Sequence, residues 1–275
     1  MKEQEKNEVR LIQLKCLEIL TEVHRICCKY NIEYSLCGGS VVGAYLYKGC
    51  LPWDDDIDLM MTRKNYNRFL EVCASELPQK YFVQNYLTSN NYYTLFTKIV
   101  DTSTTLVQKA NNMDIVSGVF LDITVYDQIP QNGLIRFYDE ILWRLSQWCL
   151  IGKSHEKSIK ALVRNLFIRL VGTPPTKYYL FLQKVLESNS KWKRYSYAEY
   201  FGSFCNTKTY DKEIFENYTL IEFEGKQYMI VRNYLDYLVR RYERTDFREP
   251  EEKQIAPHYQ YVNLDQPYME YIGAK

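Results

Sequence analysis

Four aspartates fall within five positions of this chain, in the run Pro52-Trp53-Asp54-Asp55-Asp56-Ile57-Asp58-Leu59-Met60-Met61. Like charges set so closely repel one another unless a cation neutralises them. The apolar residues that follow at once predict a strand over 58–61, and residues two apart on a strand share a face. Asp56 and Asp58 then aim at one point, while Ile57 and Leu59 turn to a core. Two hard oxygen ligands on one face suit Mg²⁺ or Mn²⁺, ions whose remaining positions are filled by water and phosphate oxygens. The pattern points to phosphoryl chemistry. Taken alone, the run reads equally well as a solvated acidic turn ahead of a strand.

The flanking sequence decides between these readings. Helical spacing over 9–30 places Leu11, Leu14, Leu17, Val23 and Ile26 or Cys27 on an apolar face. A short strand over 34–37 leads into Gly38-Gly39-Ser40, a turn whose serine is expected to cap a helix over 41–47. Thr62 is expected to cap a helix over 64–77 that stops before Pro78. Strands are predicted over 81–86, 92–100, 105–107 and 118–125, and the last carries a single acid, Asp122. A glycine turn lets backbone N–H groups approach a phosphate, and the helix that follows favours negative charge at its start. The paired carboxylates hold a cation against that phosphate. Asp122, on a later strand, can complete the metal site or take a proton from an attacking hydroxyl. Turn, Asp-x-Asp strand and third acid, in that order, resemble the arrangement of a nucleotidyltransferase-like fold.

Residues 34–61 read YSLCGGSVVGAYLYKGCLPWDDDIDLMM. This stretch resembles the hallmark of the LicD family, in which a glycine turn, a Leu-Leu-Gly-Ala-like helix and Lys-Gly precede Pro-Trp-Asp-Asp-Asp-Ile-Asp. Lys98-Ile99-Val100-Asp101 with Thr104-Thr105, Phe120-Leu121-Asp122-Ile123, Phe223-Glu224-Gly225 and Pro250-Glu251-Glu252-Lys253 through Pro257-His258 resemble further family segments. The likeness is weakest over 134–215. It implies an α+β fold: a nucleotidyltransferase-like mixed β-sheet core flanked by helices, with a mainly helical second half. The expected division is a catalytic core over 1–130, a basic helical region over 131–215, and a hairpin, helix and irregular tail over 216–275.

What the resemblance implies is an enzyme that moves a phospho-alcohol from a CDP-linked donor to a sugar hydroxyl of a cell-surface glycan, free or lipid-linked, and releases CMP. Phosphocholine and ribitol or glycerol phosphate are the candidate groups. Asp56 and Asp58 are expected to hold Mg²⁺ or Mn²⁺, with Asp122 as third ligand, as base, or as both. Gly38, Gly39 and Ser40 are expected to hold phosphate, with Lys48 adding charge. Asp54 is a candidate for the donor site or a capping carboxylate, and Lys98 either reaches the donor or is a solvated edge-strand lysine. Asp55 is expected to face away from Asp56. One departure bears on the donor. Many family members carry an arginine two positions before the Lys-Gly lysine, where this chain has Leu46. Two other activities use the same carboxylates. An ordinary nucleotidyltransferase would take an NTP and release pyrophosphate, and a non-catalytic module would only bind a nucleotide.

Bulk properties exclude several classes. A net charge of +1 gives no global field for nucleic acid, and no nucleic-acid-binding motif is present. Eight cysteines without a CxxC pair read as small buried hydrophobes in a reducing compartment, and three scattered histidines give no zinc pattern. Twenty-six tyrosines read as compositional drift rather than stacking surfaces. With no signal-peptide pattern and no uninterrupted apolar run of about 18 residues, a cytoplasmic protein is expected. Residues 133–195 hold twelve Lys or Arg against four Asp or Glu. Within them, 159–171 sets Leu162, Val163, Leu166, Phe167 and Leu170 on one side among basic residues. A core-packing helix pair with a solvated basic rim is the preferred reading. Peripheral docking on an anionic membrane is its rival.

Overall fold

The computed structural model describes residues 3–89, 92, 94–110, 113–154, 156–172, 174–201, 208–248 and 259–273. The chain has an α+β fold, as expected, and divides into two compact units. Unit 1 takes Met1–Val83, Lys98–Thr124 and Glu213–Lys275; unit 2 takes Gln84–Thr97 and Val125–Lys212.

Unit 1 begins with α1 (Glu3–Tyr30), β1 (Ser35–Leu36), α2 (Gly38–Tyr47), β2 (Asp58–Thr62) and α3 (Arg63–Glu76). The face that α1 buries is Val9, Ile12, Cys16, Ile19, Leu20, Val23, Ile26 and Cys27, whereas Leu11 and Leu14 are exposed. Val23, Ile26 and Cys27 of the expected stripe are thus buried, while Leu11 and Leu14 give way to Val9, Ile12 and Cys16: helical spacing fits both sets, and only packing chooses. β3 (Tyr81–Gln84), β4 (Thr97–Asp101), β5 (Thr105–Ala110), β6 (Met113–Ser117) and β7 (Phe120–Pro130) follow. β1 pairs antiparallel with β2, Ser35 opposite Met60, and the sheet order is β1-β2-β7-β4-β3. β2 and β4 are thus flanked on both sides, and Ile57, Leu59, Ile99, Leu121 and Ile123 are fully buried.

Unit 2 takes the second half of β7 and continues through α4 (Gly133–Ile151), α5 (Ile159–Val171), α6 (Thr176–Ser188), β8 (Tyr195–Phe201) and β9 (Thr209–Tyr210). Here β7 pairs antiparallel with β8, Ile129 opposite Ser196, and β8 with β9. Asn132 caps α4 and Ser158 caps α5 through their side chains. Edge contacts between Trp148 and Phe167, and between Phe167 and Tyr178, tie the three helices together. Tyr126, Tyr179 and Tyr210 are wholly buried in this unit, and Tyr34, Tyr66, Tyr228 and Tyr237 in unit 1. The abundant tyrosines do serve as core.

The core-packing reading of 159–171 fails. Leu162, Val163, Leu166 and Leu170 are exposed on α5, and its buried residues are Ala161 and Ile168.

The chain then returns to unit 1 as β10 (Tyr218–Phe223), β11 (Lys226–Val231), α7 (Tyr234–Tyr242), β12 (Tyr259–Asn263) and α8 (Tyr268–Gly273). Glu224 and Gly225, both at positive φ, make the hairpin turn of β10 and β11. β12 pairs antiparallel with β5, which pairs with β6. The tail is therefore not irregular where it is described: a two-sided partner in β5 gives its residues a ladder that local propensity does not advertise. The segment holding Pro250, Glu251, Glu252, Lys253, Pro257 and His258 lies outside the described residues. Among the described cysteines there is no disulfide, and only Cys28 is exposed.

Asp139, fully buried in α4, gives unit 2 a pH signature. Its Oδ2 accepts from Asn189 Nδ2 at 2.7 Å, and its Oδ1 finds no donor. Burial pushes its pKa from 3.8 up to about 6, the Asn189 bond opposing and the Asp127 charge adding. The folded state thus holds this proton more tightly than the unfolded chain. Above pH about 6 the buried carboxylate destabilises the fold, and the penalty fades as pH falls toward 3.8. Asp139→Asn is expected to raise the melting temperature at pH 7.5, a gain on the order of 1–3 kcal/mol, and to flatten the rise in stability on acidification. Thermal melts across pH 4–8 check it.

Candidate active site

The glycine turn, the acid run and Asp122 meet because three hydrogen bonds from backbone amides fix them. Cys37 N–H donates to Asp58 O at 2.9 Å, Asp58 N–H donates to Ser40 Oγ at 3.0 Å, and Asp122 N–H donates to Ile57 O at 3.1 Å. Ser40 lies in the first turn of α2, whose N-cap is Cys37, so its hydroxyl does not cap the helix. It pins the start of β2 instead. Thr62, at the N-cap of α3, makes no side-chain cap either.

The buried face of α1 holds the loop before the acids. Gln13 Nε2 donates to Leu51 O at 2.9 Å and to Asp54 O at 2.8 Å. The hairpin turn holds the other end. Glu224 accepts from Arg10 at 2.9 and 2.7 Å and from Cys50 N–H at 3.0 Å, and its own N–H donates to Lys48 O at 2.7 Å. The Arg10 bonds hold the Glu224 carboxyl below its usual pKa. The segment Phe223-Glu224-Gly225 is thus a clamp on Lys48-Gly49-Cys50. Gly49 leaves room for that carboxylate: a side-chain carbon there would lie 2.6 Å from Glu224 Oε1, and the Glu224 side chain would have to shift.

α7 closes the site from the far end of the sequence. Tyr237 Oη accepts from Gly38 N–H at 3.1 Å. One turn on, Arg241 brings its guanidinium to the same place. A side-chain carbon at Gly38 would sit 3.5 Å from Arg241 Nε and 3.5 Å from Asp58 Oδ2. At Gly39 it would sit 2.7 Å from Asp54 Oδ2. The two glycines leave room for charged groups, and Gly38 also takes a left-handed φ of +51°.

The carboxylates crowd one another. Burial first, then the charges of Asp58, Asp54, Asp122 and Asp55, hold the Asp56 carboxyl well above its ordinary pKa. The Cys16 thiol, buried beside them, is raised by burial and then by Asp56. Asp55 is itself buried and contributes to this field. Lys98 is buried rather than solvated: it lies on the interior strand β4, with Nζ 3.1 Å from Asp122 Oδ1 and close over the Phe120 ring. Burial raises the Asp122 pKa and Lys98 opposes that rise. Lys48 stands apart from this group. It is exposed, in the left-handed C-cap of α2, with Nζ 3.0 Å from Glu222 Oε2.

Among the described residues, no three His, Cys, Asp or Glu side chains stand in a geometry that could hold a metal ion. The donor chemistry nonetheless suits a hard divalent cation: the side chains around Asp56 offer carboxylate oxygens and like-charge repulsion that a cation would relieve.

A lipopolysaccharide cholinephosphotransferase LicD of Haemophilus influenzae (strain ATCC 51907 / DSM 11121 / KW20 / Rd) is 30% identical over 269 residues, which cover 90% of this chain and 95% of the relative. The chain belongs to the LicD family. The family model described as LicD/FKTN/FKRP, nucleotidyltransferase domain, matches residues 31–141, which include the turn, the acids, Lys98 and Asp122. An uncharacterized protein RP689 of Rickettsia prowazekii (strain Madrid E) is 22% identical over 135 residues, 49% of this chain and 46% of that protein. As a LicD-family member the chain is a transferase.

Gln13, Tyr237 and Arg241 are the supporting residues that sequence reading missed. Gln13 had a signal, a polar side chain between Ile12 and Cys16 on an apolar face. Tyr237 and Arg241 share the i, i+4 spacing of one helix face, yet nothing local says which partner that face meets.

Removing a charge from the crowded cluster should stabilise the metal-free protein. Asp56→Asn is expected to raise the melting temperature measured in EDTA, by on the order of 1–2 kcal/mol of stability, because repulsion among buried like charges is relieved. Differential scanning calorimetry of the two proteins in chelator checks it, and a fall in melting temperature would count against the crowding.

Proposed function

We propose that this chain transfers a phospho-alcohol, phosphocholine being the leading candidate, from a CDP-linked donor to a sugar hydroxyl of a cell-surface glycan such as lipopolysaccharide. The observation that carries this reading is the likeness to a lipopolysaccharide cholinephosphotransferase along nearly the whole of both chains. The acid cluster supplies the chemistry. The acceptor oxygen attacks the phosphorus that bears the alcohol, the bond from that phosphorus to the bridging oxygen breaks, and CMP leaves with the electron pair.

Each group has a task under this reading. Asp56 and Asp58 would hold Mg²⁺ or Mn²⁺, which when bound supplies positive charge to the donor diphosphate. Asp122 takes the proton of the acceptor hydroxyl. A carboxyl raised above its ordinary pKa is a better base, and Lys98 keeps it from being protonated beforehand. Arg241 stands beside Gly38 and Asp58 and contributes the fixed positive charge that Leu46 lacks. Asp54 and Ser40 act on the shape of the site, one packed against Gly39 and the other holding Asp58 N–H. Charge that builds on the leaving phosphate is met by groups already in place, which is where most of the rate enhancement of such transfers arises.

CMP release from a panel of CDP-alcohols, with Mg²⁺ or Mn²⁺, tests the reading. One donor is expected to yield metal-dependent CMP, with kcat falling about 10²-fold or more in Asp58→Asn. Arg241→Met is expected to raise the KM for that donor about tenfold. Pyrophosphate released from an NTP would instead establish an ordinary nucleotidyltransferase. Nucleotide binding that is unchanged in Asp58→Asn, with no product from any donor in the presence of lipopolysaccharide acceptor, would establish a binding module.

A further inference from the structure

α5 is built inside out. Ile159, Leu162, Val163, Leu166 and Leu170 follow the spacing of one helix face, and that face points to solvent. Ile159 is 83% exposed, Leu162 70% and Leu170 78%. The inward side carries the small Ala161 together with Ile168. An ordinary surface helix of a soluble protein does the reverse, because burying leucine is what stabilises its packing on the core. α4 repeats the pattern. Leu134, Phe137, Tyr138 and Ile141 have the same spacing and are all exposed, Leu134 by 82%. The two helices touch at Trp148 and Phe167, 5.9 Å between ring centroids.

Charge says what covers the α5 face. Residues 153–172 hold five basic side chains, Lys153, Lys157, Lys160, Arg164 and Arg169, against one acid, Glu156. Lys160 and Arg169 lie on opposite flanks of the apolar stripe, at about +100° and −80° from Ile159 on the helical wheel, and both are exposed. An apolar stripe with cationic flanks complements the headgroups and upper acyl chains of an anionic bilayer. A second copy fits poorly. A two-fold contact across α5 would bring the stripe of each copy together and set these cations against their own kind. Spanning is excluded by length: thirteen residues reach about 20 Å, short of a hydrocarbon core of about 30 Å. No described helix is long and apolar enough to cross a membrane.

We propose that the α5 face of unit 2 lies in the plane of an anionic membrane surface and holds the enzyme there as a peripheral protein. The residues of this surface belong to unit 2, and the acids of the transfer chemistry belong to unit 1. The failure of this proposal and the failure of the catalytic reading are therefore separable. If both hold, the enzyme meets an amphiphilic acceptor where that acceptor resides.

Vesicle co-sedimentation tests the proposal with full-length protein. The probes are phosphatidylglycerol–phosphatidylcholine vesicles and pure phosphatidylcholine vesicles, at low and high salt. Wild type is expected to sediment with the anionic vesicles at low salt and to stay in solution with the neutral ones. Leu162→Asp with Leu166→Asp is expected to weaken binding about tenfold or more, and Lys160→Glu with Arg169→Glu to weaken it comparably. All four positions avoid the inward side of α5, and an unchanged melting temperature and circular dichroism spectrum verify that the variants fold. No binding of wild type at low salt, or binding undiminished in the leucine variant, would overturn the proposal. So would light scattering that finds a wild-type dimer made monomeric by the leucine substitutions, since the stripe would then be a contact between copies.

Discussion

Repulsion among buried carboxylates is the constraint around which unit 1 is arranged. Asp54, Asp55, Asp58 and Asp122 all raise the pKa of Asp56, after burial itself. Fixed positive charge is close by, in Lys98 at Asp122 and in Arg241 beside Asp58, but it is placed at the margins of the cluster. A fold bears such a cluster only if the backbone carrying it cannot relax away. Under the proposed function, the same repulsion would favour the entry of a cation that neutralises it.

The backbone is restrained from four directions. Gln13 on α1 grips the carbonyls of Leu51 and Asp54, and Ser40 on α2 grips the amide of Asp58. Glu224, at the β10–β11 turn, grips Cys50 and Lys48, and Tyr237 on α7 receives the amide of Gly38. These four residues span more than two hundred positions of sequence. The site is therefore a product of the whole of unit 1, although its charged residues lie close together in the chain. Hydrogen bonds of this buried kind are expensive to leave unmade, which makes the clamp stiff as well as stable.

The charged heart of the site was legible in the sequence because it is local. Asp56, Asp58 and the glycine turn fall within residues 38–58, the alternation of Ile57 and Leu59 is a strand pattern, and Asp122 stands out as the one acid in an apolar strand. The hairpin was legible for the same reason, with Gly225 between two β-rich runs. What was hidden depends on partners far away. The buried face of α1 could not be chosen between two leucine-bearing stripes without knowing what packs on it. β12 could not be seen because its stability comes from β5. Lys98 read equally as a donor contact and as a solvated edge-strand lysine until the order β7-β4-β3 made its strand an interior one. The stripe of α5 was legible as a pattern and misread in direction. Periodicity gives the face and is silent on whether that face looks in or out.

The central claim is that the crowded acids await a divalent cation, held by Asp56 and Asp58. Isothermal titration of Mn²⁺ into the chelator-stripped protein, in buffers of differing ionisation enthalpy, addresses it directly. The account predicts saturable binding with release of protons as the raised Asp56 carboxyl ionises, and loss of that binding in both Asp56→Asn and Asp58→Asn. Wild-type protein that takes up no Mn²⁺ with CDP-choline present, or aspartate variants that bind the ion as tightly as wild type, would contradict it.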